Sequence, residues 1–348
     1  MSVSFVRWAA FASLTTAAVT VSAVACSSFG EDESPDGSET STDPDAPAEA
    51  SVADGATLDS ATGVDSSKVD GGGPCDPMAP FNPSSMPVPG IPAGDTYSAR
   101  LTKDETGISF SRYEEGYYKL KIALRSDRSV PFSAEQPLAA ASHPQRSVAG
   151  ATVSSDQLQL VYYTTEADGG DGTIFHSTRL GVATSFSPGI SYAALANIDA
   201  VTRRDPFFAV NGDLYFASRE AAAPHALYVL PNVPGATNGP VPVNTGVVSG
   251  NAEERAPVLS FDELTMYFQS SRTAPTSTSG ATGNGDVWVM RRNTRADAFG
   301  LPVFVPELSS ALSDEPSWLS PDNCRLYLSR VTSPGVSELI IFTRPPKQ

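Results

Sequence analysis

Residues 315–330 read EPSWLSPDNCRLYLSR, and the same layout occurs four more times in the chain. The counterparts are SARLTKDETGISFSR (98–112), AGATVSSDQLQLVYYTT (149–165), DPFFAVNGDLYFASR (205–219) and APVLSFDELTMYFQSSR (256–272). Each is a short strand, a polar turn and an aromatic strand that closes on Ser, Thr or Arg. Alternation such as Leu264, Met266 and Phe268 has the period of two that turns one face of a strand to a core. A third apolar strand follows each hairpin: YKLKIAL (118–124), GTIFHSTR (172–179), HALYVLP (225–231), GDVWVMRR (285–292) and SELIIFTR (337–344). Aligning Phe110, Tyr163, Phe216, Phe268 and Leu328 gives spacings of 53, 53, 52 and 60 residues. One such hairpin means little, whereas five at near-constant spacing define a repeat architecture.

A unit of about 50 residues with three clear strands and a shorter fourth is the pattern of a β-propeller blade. Fourth strands are expected around 136–139, 190–195, 241–245 and 303–308. All are flanked by Pro, which an outermost strand tolerates because its free edge needs no donor. The fifth repeat reaches Gln348 without a fourth strand, and residues 85–91 (SMPVPGI) resemble the missing one. The expected fold is therefore an all-β, five-bladed β-propeller closed by its amino-terminal strand. The alternative is six-bladed, with residues 75–97 contributing more than one strand.

Particular residues carry a family resemblance. They are Glu315-Pro316, Ser320-Pro321-Asp322, Tyr327 and Ser329-Arg330, then Pro257, Ser260, Asp262, Tyr267, Ser271-Arg272 and Asp286-Val287-Trp288. Asp205-Pro206, Asp213, Tyr215 and Ser218-Arg219 keep part of the same pattern. These segments resemble the WD40-like repeats of the TolB-type propeller family over about residues 95–348. The resemblance implies architecture and leaves activity open, because propellers host many unrelated functions.

Ahead of the repeats lie two segments of different character. Residues 1–26 hold a single charge, Arg7, before an uncharged, largely apolar run, the pattern of a secretory signal peptide. Ala23-Val24-Ala25-Cys26 resembles a bacterial lipobox, which implies a diacylglyceryl group on Cys26 and cleavage before it. Ser27 stands where an Asp would resemble the inner-membrane retention signal, so outer-membrane delivery is expected. Residues 27–74 carry twelve acids against Lys68 alone and almost no large apolar side chains. Such a segment cannot bury enough apolar surface to offset ordering entropy and is expected to be a disordered tether. As a flexible chain it would reach roughly 35–40 Å. The expected domains are thus 1–26, 27–74 and the propeller at 75–348.

With 39 acidic and 23 basic residues, the 348-residue chain has a net charge of −16, which argues against nucleic-acid binding. Most of that charge sits in the tether, so the propeller is only mildly acidic. Three Cys and three His are too few for a disulfide-dense scaffold or a convincing zinc site. His143, His176 and His225 fall in different segments. There is no Gly-x-Ser-x-Gly elbow, phosphate loop or His-Glu-x-x-His, and no metal or cofactor is expected. With Cys26 given to lipid, Cys75 and Cys324 remain. Cys75 precedes the closing strand, and Cys324 opens the second strand of the blade it completes, so an oxidising compartment predicts a disulfide across the closure.

Arg112, Arg219, Arg272 and Arg330 recur after the second strand and read as in-blade scaffold. Asp156, Asp213, Asp262 and Asp322 read as turn formers. Asp205, Glu253, Glu254, Asp314 and Glu315 instead precede or open the innermost strands, together with Arg146, Arg203, Arg204 and Arg255. They are expected at a solvated channel mouth, a default binding site. The expected function is that of a monomeric, lipid-anchored envelope protein that binds protein or envelope polymer through one propeller face. The alternative is a carbohydrate-binding or glycoside-hydrolysing propeller, with a pair of mouth carboxylates as acid and base.

Overall fold

A computed structural model describes residues 74–348, apart from 139–140, 142, 144, 166–171, 182–183, 193–194, 196–199, 221–222, 234, 237, 244–251 and 274–284. The expectations for Cys26, the signal peptide and the tether through residue 73 lie outside the described residues, as does the end of the expected strand 241–245.

The strands run β1 (Ser85–Pro87), β2 (Thr96–Leu101), β3 (Gly107–Glu114), β4 (Tyr117–Leu124), β5 (Gln136–Pro137), β6 (Ser147–Val153), β7 (Gln159–Thr165), β8 (Thr173–Thr178), β9 (Ile190–Ser191) and β10 (Ala200–Phe208). The second half continues with β11 (Leu214–Glu220), β12 (Ala226–Leu230), β13 (Val241–Pro242), β14 (Glu254–Leu259), β15 (Thr265–Ser270), β16 (Asp286–Arg291), β17 (Val303–Phe304), β18 (Asp314–Leu319), β19 (Arg325–Ser333) and β20 (Val336–Thr343). They form five antiparallel sheets of four strands. Blade 1 is β2–β5, blade 2 β6–β9, blade 3 β10–β13 and blade 4 β14–β17, while blade 5 joins β18–β20 to β1. The chain is a five-bladed β-propeller, and the six-bladed alternative is excluded.

One device shapes most of the first hairpins. The Asp104, Asp156, Asp262 and Asp322 carboxylates each accept a hydroxyl two residues back and a backbone N–H two residues on. The next residue, Glu105, Gln157, Glu263 or Asn323, then takes a left-handed φ of 58–62°. In blade 3 the turn uses Asn211 and Gly212 instead. Local side-chain acceptors of this kind favour the turn over a continued strand.

The outer strands are shorter than expected, two residues in blades 1 to 4. Pro137 and Pro242 have no N–H to extend the ladder, and after β17 the chain turns at Pro306–Leu308, burying Leu308. The closing strand likewise ends at Pro87 rather than residue 91. Gly90 follows with φ +87°, and a Cβ there would strike the Phe132 backbone. Ring closure pairs Ser85 with Phe342, Met86 with Ile341 and Pro87 with Ile340. Beyond it Cys75 bridges to Pro346 and forms a disulfide with Cys324, Cα to Cα 5.9 Å, across 249 positions.

The core lies within and between blades. The aligned Phe110, Tyr163, Phe216, Phe268 and Leu328 are all buried. Phe81, from the arm before β1, joins the core shared by blades 3 to 5, edge-on to Tyr267 and beneath the Arg344 guanidinium. The left-handed glutamates clasp neighbouring blades. Glu105 accepts Arg325 and the Tyr327 hydroxyl from blade 5 while also facing Arg125 and Arg128 of its own blade. Glu263 accepts the Asn211 N–H of blade 3.

Candidate binding site at the channel mouth

Every innermost strand gains an extra residue against its neighbour at one corresponding step, because the pairing register shifts between Tyr97 and Arg100, Ala149 and Thr152, Arg204 and Phe207, Arg255 and Val258, and Pro316 and Trp318; β10 has a second shift between Ala200 and Thr202. Four of these bulges place a left-handed residue at the same step: Ser98, Gly150, Asp205 and Ala256, at φ 50–61°. Blade 5 has Pro316 there, whose ring forbids positive φ. Bulges bend a strand and re-aim its side chains. Here the preceding positions, Tyr97, Arg204, Arg255 and Glu315, converge on a pocket of about 270 Å³.

The pocket is also lined by Asp95 and Tyr118. Tyr118 donates to Asp95 at 2.7 Å, and the Ser337 hydroxyl donates to the other Asp95 oxygen at 2.7 Å. Tyr97 and Tyr163 share a hydroxyl hydrogen bond of 2.9 Å, and Arg204 donates to Tyr163 at 3.2 Å. Burial pushes the Tyr163 phenol up to about 12. Beneath them Asp205 lies 3.3 Å from the Arg204 guanidinium and 4.0 Å from that of Arg255. Glu315 accepts the Ser98 hydroxyl at 2.8 Å.

The two buried carboxylates are driven apart. Burial alone would raise Asp205, but the charges of Arg204 and Arg255 outweigh it and hold Asp205 below the usual carboxylate range. Glu315 is raised by burial and by the negative charge of Asp205, against the pull of Arg255. Such a split gives one group that stays ionised and one that keeps its proton longer.

The remaining candidates do not join the pocket, and the expectation of a solvated mouth is corrected. Asp205, Glu254, Asp314 and Glu315 are all buried. Glu254 is engaged by Arg272, and Asp314 by Arg330, each within its own blade; Arg112 pairs likewise with Glu135, and Arg219 donates to Thr202. Burial raises both Glu254 and Asp314 despite these partners. Glu253 accepts the backbone and ring N–H of buried His225, linking blades 3 and 4. Arg203 is buried in β10, and Arg146 is half-buried ahead of β6; neither is among the described residues lining the pocket. Tyr97 was open to detection, since it occupies the repeat position of Arg204, Arg255 and Glu315. Asp95 and Tyr118 carry no such signal.

A five-bladed propeller with a buried charge cluster under one mouth defines the class. No protein-family model matches the chain, and no curated protein matches it in sequence. Among solved structures, TolB from Acinetobacter baumannii is 14 % identical over 73 % of this chain and 56 % of that one, with a TM-score of 0.45. The chain thus spans little more than half of that protein. A thermostable family-43 glycoside hydrolase is 14 % identical over 76 % of this chain and 98 % of its own, with a TM-score of 0.49. The catalytic domain of the Coprinopsis cinerea GH62 α-L-arabinofuranosidase is 10 % identical over 77 % and 98 %, with a TM-score of 0.44. At these identities the likeness is one of fold alone.

Proposed function

We propose that this protein is a binding or scaffold module of the cell envelope, held to the outer membrane through lipid on Cys26 and engaging a protein or envelope polymer at the Tyr97 mouth. The supporting observation is how the mouth is filled. Glu315 and Asp205 are covered and bonded from other blades by Ser98 and Arg255, which leaves a shallow pocket edged by Tyr118 and Arg255 rather than an open carboxylate cleft. Tyrosine and arginine beside mixed charge suit recognition of a polar partner. A second reading, a carbohydrate-active propeller, is supported by the opposed displacement of Asp205 and Glu315, the arrangement an acid and base require.

A photo-crosslinking residue placed at Val336, on the rim, should form an adduct in intact cells. The same residue at Val303, exposed on β17 and away from this pocket, should not. Equal crosslinking at both positions defeats the mouth assignment. Hydrolysis of an aryl arabinoside or xyloside by the purified protein, lost in Glu315→Gln, establishes the enzymatic reading instead.

A further inference from the structure

A second and larger cavity, about 980 Å³, opens among the first-hairpin turns, where Thr102, Ser154 and Ser260 lie. These turns close the ends of the innermost strands away from the Glu315 pocket. Leu101, Phe207, Phe261 and Trp318 wall it toward the channel axis, and it continues between blades 1 and 2 past Tyr162 and Phe175. Its volume lies at the upper end of the range for small-molecule sites, about 300–1,000 Å³. Among the described lining residues Arg100, Lys103 and Arg179 are cationic and none is Asp or Glu. That asymmetry stands out in a chain with 39 acids and 23 bases.

Arg100 sits across the channel. It is 5 % exposed, with its guanidinium over the Phe207 ring. Its Nη1 donates to the Ala99 and Ser317 carbonyls and its Nη2 to the Pro206 carbonyl, while Nε has no partner. No carboxylate among the described residues pairs with it directly. Burial lowers its pKa only to about 10, so it stays charged at neutral pH. Around this buried cation the charges do not balance: Glu315 and Asp205 act on it, but Arg204 and Arg255 stand beside the same two carboxylates.

We propose that this cavity binds a long-chain fatty-acid carboxylate, its acyl chain between blades 1 and 2 and its head group on Arg100. A monoanion suits a guanidinium with one unused N–H; a phosphate dianion would need several donors. The apolar walls take the chain, and no described lining residue is an acid that would repel the head group at close range.

Titration of the purified protein with palmitate, followed by calorimetry and by displacement of a fluorescent fatty acid, tests this. Saturable one-to-one binding is expected, at least ten-fold tighter than methyl palmitate. Ile122→Trp, which fills the wall between the blades, should abolish both. Arg100→Gln should bring acid and ester to equal affinity. If that variant does not fold, the acid-to-ester ratio of the wild type and the Ile122→Trp result still decide. Equal affinity for acid and ester in the wild type, or binding undisturbed by Ile122→Trp, overturns the proposal. Binding of an apolar peptide with a free carboxyl terminus, without palmitate binding, assigns the cavity to a protein tail and also overturns it.

Discussion

Replacing both Cys75 and Cys324 with Ser opens the one seam of the ring that continuous chain does not make. The disulfide closes a loop across 249 positions, for which the loop-entropy relation gives about 5 kcal/mol. Native strain and residual structure in the unfolded chain usually reduce such figures, so a measured loss of about 2–5 kcal/mol is expected. The loss has a location. Without the bond, the arm from residue 74 to 91 is held by three rungs on β20 and by buried Phe81 and Val88. Urea unfolding followed by tryptophan fluorescence should show a lower midpoint and a steeper slope, because the unbridged unfolded chain exposes more surface. Hydrogen exchange should show the Val88 amide, which donates to Leu339, opening before the β19–β20 ladder. A double variant within about 0.5 kcal/mol of wild type, with the arm equally protected, would refute this account of closure.

Glu105→Gln removes the buried charge that holds half-buried Arg325 and Arg125 at the seam of blades 1 and 5, and should cost about 3–5 kcal/mol in urea unfolding; a loss under about 1 would mean the clasp is incidental. Glu315 keeps its proton above its free value of 4.5, so its contribution to stability is complete below that pH and is lost as pH rises through the folded value. Glu315→Gln should therefore gain stability relative to wild type as pH rises from below 4.5, and a difference that does not change on leaving that pH upward contradicts the assignment. The proposed anchor predicts that the wild type incorporates labelled palmitate and that Cys26→Ser accumulates as unprocessed precursor. Mature wild-type protein without label rules the anchor out.

The blade architecture was legible because the same alternating pattern is written five times, and Leu328 in place of an aromatic does not disturb its period. The outer strands were half legible. Their prolines marked an edge, but the length of each strand depends on donors that Pro137 and Pro242 lack. Burial at the mouth was not legible. Glu315 is covered by Ser98 from blade 1 and shares its field with Asp205 from blade 3 and Arg255 from blade 4, so no local pattern around residue 315 reports its exposure. Tyr97 is uncharged, so only its repeat position, shared with Arg204, Arg255 and Glu315, marks it in the sequence. Arg100 was missed because its partners are the carbonyls of Ser317 and Pro206, contributed by other blades.

Blade 5 is built from both ends of the folded chain, which gives its closure a place in time. At about 5–20 residues per second, the 249 positions between Cys75 and Cys324 take roughly 12–50 s to synthesise. Blades 1 to 4 each have their own four strands in sequence and can pair them as they emerge. The Phe81 arm is made first and used last. A chain cut short before β20 has nothing for β1 to pair with, although Cys324 and Tyr267, the partners of Cys75 and Phe81, are already made. The disulfide partner therefore arrives before the strand that seats the arm: only a molecule synthesised through β20 can pair β1.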